Sequence, residues 1–265
     1  MTLPLSVTRL LLSGSAQKSY AQGQEDVIVA SLLQRLGIDQ PSYLDIGAYH
    51  PVELSNTYLF YQRGCRGVCV EPDPSLAAEI MRQRPRDVCL NVGVGVDQTA
   101  AADFYVMSDR AFNTFSKVDA EKCQASGRAR IERIMSTPMR TINSIIEECF
   151  PAAPNFVSMD VEGLDLAILR TFDFALSQPE VFCVETLSYT EAKKPGDILD
   201  LMIAHGYFVY ADTVNNTIFV HRSYWGRCRM ADRLFITTVL GLQMAELGVR
   251  RAYRWSRQWV RNRLP

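Results

Sequence analysis

The sequence predicts an α/β protein: a mostly parallel sheet, covered by helices on both faces and finished by an antiparallel hairpin, with helical extensions at both ends. Three observations predict it. Short apolar runs bounded by turn residues alternate with amphipathic stretches of helical period. Two β-rich runs near the end, GYFVYAD and NNTIFVHR, are separated only by the few residues around Thr213 to Asn216, too few for a parallel crossover. The first two apolar runs also end in carboxylates, Asp45 and Glu71.

In chain order, QEDVIVASLLQRLG puts Val27, Ile28, Leu32, Leu33 and Leu36 on one helical face; Gly37 supplies the C-cap and Pro41 prevents continuation. YLDIG is a strand, VELSNTYLFYQRG a helix closing at Gly64, RGVCVEP a strand, PSLAAEIMRQR a helix and DVCLNVGVG a further strand. Between 101 and 140, AADFYVMS and STPMRT read as extra strands around a partly helical insert, VDAEKCQASGRARIERI, expected to form a lid on the substrate side. The strand NFVSMDVEG, the helix LDLAILRTF, the strand EVFCVET and the helix GDILDLMIAHG lead to the hairpin. The chain thus divides into a helical extension (1–40), a ligand-binding α/β domain (41–221) and a basic helical tail (222–265).

With 265 residues, 48% hydrophobic and 22% charged, the chain can bury a core without disulfides or metal, which excludes disordered and collagen-like classes. Seven cysteines without a CxxC pair read as free thiols of a reducing compartment. The start, MTLPLSVTRLLLSGSA, is broken by Arg9 and lacks the form of a signal peptide, so a cytoplasmic location is expected. From Arg222 onward ten arginines face only Asp232 and Glu246, a net +8 that leaves −9 on the rest. LFITTVLGLQMAELGV is too short and polar to span a bilayer. Arg250, Arg254, Arg257 and Arg261, with Trp255 and Trp259, suit either an interfacial helix on anionic lipid or a helix packed on its own domain or a homodimer partner. The acidic body offers no nucleic-acid platform.

Ligands of open α/β sheets bind beyond the carboxyl ends of the strands, where strand order reverses. There Gly47 lets backbone approach a ligand and small Ala48 keeps the turn open. Asp45 can meet a charged amino-acid group. Glu71, followed by Pro72 and 26 residues after Asp45, can accept from both hydroxyls of a ribose. Tyr49 and Pro51 stand where a dinucleotide fingerprint would carry more glycines, which disfavours the alternative of an NAD-dependent oxidoreductase.

YLDIGAYHPVELSNTYLFYQRGCRGVCVEPDP, DVCLNVGVG, AFNTFS, SMDVEGLDLAIL and the opening QGQEDVIVASLL together resemble the FkbM family of methyltransferases, from about Gln22 to His221. The resemblance implies a class I, Rossmann-like domain that transfers a methyl group from S-adenosylmethionine to a hydroxyl, often on a sugar of a polysaccharide, glycolipid or glycosylated product. By position it implies that Asp45, Gly47, Glu71 and Asn91 line the cofactor; Ala48, Tyr49, Asn56 and Pro72 are taken as further candidate contacts. Ser55-Asn56-Thr57 and Asn113-Thr114 match motifs to which it gives no firm role. A binding module that keeps the fold without catalysis remains an alternative, against which the acidic set argues.

A protonated sugar hydroxyl is a poor nucleophile and needs a base or a metal. Asp160 and Glu162 follow the strand NFVSM and Glu185 ends the next strand, so Asp160 and Glu185 are expected to act as bases or to hold a divalent cation such as Mg²⁺, with Glu162 close by. His50, after the glycine turn, is a further candidate base facing the same crevice.

Overall fold

The computed structural model describes residues 17–161, 163–187 and 196–227. Glu162, Cys228 and nearly all of the basic tail therefore lie outside the described residues.

Strand β1 (Tyr43–Ile46) lies in parallel between β2 (Gly67–Val70) and, further along the chain, β7 (Phe156–Met159). On one side β2 pairs with β3 (Val88–Leu90); on the other β7 pairs with β8 (Val181–Glu185), both in parallel. The closing hairpin is β9 (Tyr207–Asp212) and β10 (Asn216–His221), with β10 antiparallel to both β8 and β9. The order β3-β2-β1-β7-β8-β10-β9 makes the mostly parallel sheet with an antiparallel hairpin that the sequence predicts. Strand order reverses between β1 and β7. A second sheet, β4-β6-β5, contains β4 (Gly93–Gly95), β5 (Ala101–Met107) and β6 (Ile131–Thr141).

The described α-helices are α1 (Glu25–Arg35), α2 (Tyr58–Gln62), α3 (Pro74–Gln83), α4 (Lys117–Ala125), α5 (Ile142–Cys149), α6 (Asp165–Thr171) and α7 (Asp197–Ala204). Because successive strand residues face opposite sides, β8 sends Phe182 and Val184 into a core shared with α5, α6 and α7, while Val181 and Cys183 enter another shared with α1 and α2. Burial on both faces explains why these strands read as unbroken apolar runs. α1 is fixed by its first turn: buried Asp26 accepts from Ser19 Oγ (2.6 Å) and Tyr20 N (2.7 Å), and buried Glu25 from Gly23 N (2.7 Å), Thr213 Oγ1 (2.6 Å) and Asn216 Nδ2 (3.1 Å). Gly37 takes the left-handed conformation expected of the C-cap (φ 78°).

Four elements differ from the sequence reading. DVCLNVGVG is split between two sheets: Asn91 Nδ2 donates to the carbonyls of Glu71 (2.8 Å) and Pro72 (3.0 Å), stopping β3, and the chain then turns to pair β4 with β6. Gly93 allows that turn, since a Cβ there would stand 2.3 Å from the Phe115 ring. The helix expected over VELSNTYLFYQRG forms only from Tyr58, because Leu54 is left-handed (φ 57°) and Ser55 Oγ accepts from Tyr58 N (3.1 Å). STPMRT belongs to the longer β6, whose partner is the expected strand β5. Directly after it, α5 was not anticipated; Thr141 caps it by accepting from Ser144 N (3.2 Å).

The six described cysteines are free thiols. No helix among the described residues is long and apolar enough to cross a membrane.

Candidate active site

A cavity of about 360 Å³ opens at the carboxyl ends of β1, β2 and β7, at the reversal of strand order. Asp45, Glu71 and Asp160, from three different strand tips, all line it, together with Gly47, Ala48, Tyr49, Asn56 and Pro72.

The turn after β1 brings the walls together. Gly47 N and Ala48 N donate to Val70 O (3.0 and 3.1 Å), and Asp160 N donates to Ile46 O (3.0 Å). Gly47 is left-handed (φ 77°), and a Cβ there would lie 1.8 Å from the Asp160 carbonyl oxygen, so only glycine lets β1 and β7 approach at this point.

Glu71 sits 4% exposed at the tip of β2. Its Oε2 accepts from Tyr49 N (2.9 Å) and its Oε1 from Asp73 N (2.8 Å). Burial pushes its pKa up to about 8, against the pull of those two N–H groups. Each oxygen keeps a lone pair, so the ionised group can accept two further donors spaced like a vicinal diol. Leu76, Val92, Phe104 and Phe112 give the same cavity an apolar wall. This combination fits an adenosyl ligand.

Asp45 is buried within the cavity lining, where Thr57 Oγ1 donates to its Oδ2 (2.5 Å) and Ser158 is its register partner on β7. Burial raises its pKa, while Arg84, Thr57 and Ser158 oppose the rise. Asp160 borders the cavity, backed by Asp165. Burial first, and then the Asp160 charge, raises the Asp165 pKa well above the ordinary carboxylate value.

Three expected residues stand elsewhere. Asn91 bonds backbone behind Glu71 rather than lining the cavity. His50 does not face the crevice; its Nδ1 accepts from Glu53 N (2.8 Å) and Val52 N (3.2 Å), which makes it a turn-holding group. Glu185 is buried at the tip of β8, opposite Asn216, and does not line the cavity. Asp160 and Glu185, expected to share a metal, follow the paired residues Met159 and Val184 at neighbouring strand tips, and of the two only Asp160 lines this cavity. Among the described residues no group of three or more His, Cys, Asp or Glu could hold a metal ion.

Sequence reasoning missed the floor beneath the site. Arg84 is fully buried and pairs with Asp87 (Nη2–Oδ2 2.7 Å), both side chains 0% exposed. An arginine at the end of an amphipathic helix reads as solvated, and no local pattern marks this one as buried. Gln22, Asn113, Ser158 and Asn216 also line the cavity. Of these, Gln22, Asn113 and Ser158 stood in quoted motifs without a role, while Asn216 stood in the closing hairpin, read only as a strand.

The methyltransferase FkbM domain profile matches residues 45–209. No curated protein matches the chain. Among solved structures, an O-methyltransferase from Bacillus cereus in complex with SAH is similar at 13% identity and TM-score 0.39, covering 81% of this chain and 86% of that one. A SAM-bound amino pentose methyltransferase from Micromonospora echinaspora shares 9% identity at TM-score 0.41, covering 83% and 99%. A precorrin-6y C5,15-methyltransferase from Geobacter metallireducens shares 12% at TM-score 0.39, covering 78% and 92%.

Proposed function

The chain belongs to the FkbM family of methyltransferases, and on that premise we propose that it moves a methyl group from S-adenosylmethionine to a hydroxyl oxygen of a saccharide or glycolipid. The observation that carries the cofactor half is the convergence of Asp45, Glu71 and Asp160 on one cavity, with Glu71 offering both oxygens to a ribose. When bound, S-adenosylmethionine supplies an electrophilic sulfonium methyl.

The chain's own residues do the rest. Glu71 binds the ribose hydroxyls and Leu76 and Val92 cover an apolar ring. Asp45 faces the ammonium group. Asp160 orients the acceptor hydroxyl and takes its proton, worth typically about 10²–10⁴-fold in rate for a positioned base. Gln22, Asn56 and Asn216 add amides to the cavity lining, which both donate and accept and so suit a polyhydroxylated, uncharged acceptor.

Calorimetric titration with S-adenosylmethionine and with NAD tests the cofactor; binding of NAD alone would end the proposal. Transfer of labelled methyl to a panel of glycans tests the acceptor, and label appearing only on nitrogen would remove the hydroxyl.

A further inference from the structure

Asp45 receives the Thr57 hydroxyl and has the Ser158 hydroxyl beside it, and each hydroxyl is itself held from behind. Thr57 Oγ1 donates to Asp45 (2.5 Å) while accepting from Arg84 Nη2 (3.0 Å). Ser158 is the register partner of Asp45 on β7, and its Oγ accepts from Asn56 Nδ2 (3.1 Å). A hydroxyl has one proton, and a guanidinium only donates. An ionised Asp45 can only accept, so Thr57, with one lone pair filled by Arg84, turns its proton to Asp45, and Ser158, with one lone pair filled by the Asn56 amide, has its proton available in the same sense. Both arms thus carry donors toward Asp45, an arrangement that suits a carboxylate.

The arm through Thr57 ends in a buried charge. Arg84 also donates through Nε to Asp87 Oδ2 (2.8 Å) and through Nη2 to Tyr43 Oη (3.2 Å). Buried ion pairs of this kind contribute little net stability, and apolar replacements often serve the fold as well. The fold alone therefore gives weak reason to bury an arginine under the cavity floor.

We propose that Thr57 and Ser158, backed by Arg84 and Asn56, are positioning residues that hold Asp45 ionised and aimed at the α-ammonium group of S-adenosylmethionine, an inference that rests on the cofactor reading above. The other groups facing Asp45 are Cys69, its neighbour on β2, with Glu71 at the tip of that strand and Asp87 beyond Arg84. Losing a hydroxyl arm removes one of the forces that oppose burial, so protonation of Asp45 moves to higher pH.

The test titrates two compounds into the full chain: S-adenosylmethionine, and 5′-methylthioadenosine, which keeps adenosine and sulfur but lacks the amino-acid end. Thr57→Val is expected to weaken S-adenosylmethionine about tenfold at neutral pH and to move up by about one unit the pH at which the ratio of S-adenosylmethionine to 5′-methylthioadenosine affinity is half-maximal, since one pKa unit is a factor of ten and the ratio cancels the titration of Glu71. Affinity for 5′-methylthioadenosine should stay at the wild-type value, and Thr57→Ser should restore S-adenosylmethionine binding. Should Thr57→Val not fold, Ser158→Ala removes the other arm and leaves the Arg84–Asp87 pair intact, with the same selective loss expected. Equal weakening of both compounds, or of neither, overturns the proposal. A wild-type chain that binds neither compound fails instead on the cofactor reading.

Discussion

Glu71 predicts a proton released when the nucleoside binds. Its pKa of about 8 in the ligand-free protein means that at pH 7 only about a tenth of the molecules carry the carboxylate. Its two oxygens already accept from Tyr49 N and Asp73 N, so only the ionised form has an acceptor on each oxygen for both ribose hydroxyls. The ionised fraction rises from about 1 in 100 at pH 6 to about one half at pH 8, so affinity should tighten about fiftyfold over that interval and about twofold above it. At pH 7 about 0.9 proton should leave per ligand bound. Calorimetry with 5′-methylthioadenosine, which has no group titrating in this range, in buffers of different ionisation enthalpy, measures both quantities; Glu71→Gln should release none. The sign for the fold is opposite. A carboxyl whose pKa is raised on folding stabilises fully below its unfolded value of 4.5, and that contribution is lost as pH rises through about 8, with an upper bound of about 5 kcal/mol. Affinity constant between pH 6 and 9, with no proton released, would refute the reasoning.

Gly47→Ala combines a left-handed backbone, costing about 1–2 kcal/mol, with a Cβ 1.8 Å from the Asp160 carbonyl. Thermal unfolding should show destabilisation beyond 2 kcal/mol, or roughly 4 °C or more in Tm, together with loss of cofactor binding. Asp160→Asn should lower kcat about 10²–10⁴-fold while leaving the Kd for S-adenosylmethionine within about threefold, as expected for a base that acts on the acceptor; unchanged kcat would remove it from the chemistry. His50→Ala should cost about 1 kcal/mol of stability through the loss of the acceptor for Glu53 N and Val52 N, with kcat per folded molecule unchanged; a collapse of kcat in a fully folded variant would return His50 to the site.

The alternation of strands and helices and the closing hairpin were legible because they rest on periodicity and on a link too short for a crossover. The convergence of Asp45, Glu71 and Asp160 was legible for a related reason: parallel strands deliver their carboxyl ends to one edge, so position along each strand fixes position in space. What periodicity does not encode was misread. Asn91 ends a strand through a side chain bonding carbonyls twenty residues earlier, and Leu54 shortens a helix through a dihedral that its chemistry does not advertise. Asp160 and Glu185 end neighbouring strands and follow the paired residues Met159 and Val184, yet of the two only Asp160 lines the cavity. Arg84 was hidden because its partners, Asp87, Thr57 and Tyr43, come from three segments.

The placing of β10 between β8 and β9 bears on how the chain comes to be folded during synthesis. β9 is made first but finds no neighbour in the sheet until β10, the last of the described strands, takes its place beside β8. Until residue 221 leaves the ribosome, β8 presents a bare edge, and the places of Ile218, Phe219 and Val220, each 0% exposed when folded, stand empty in both cores. A nascent chain halted within the span of the family domain would carry every carboxylate of the cavity and still expose a sticky margin, the kind of intermediate that chaperones retain.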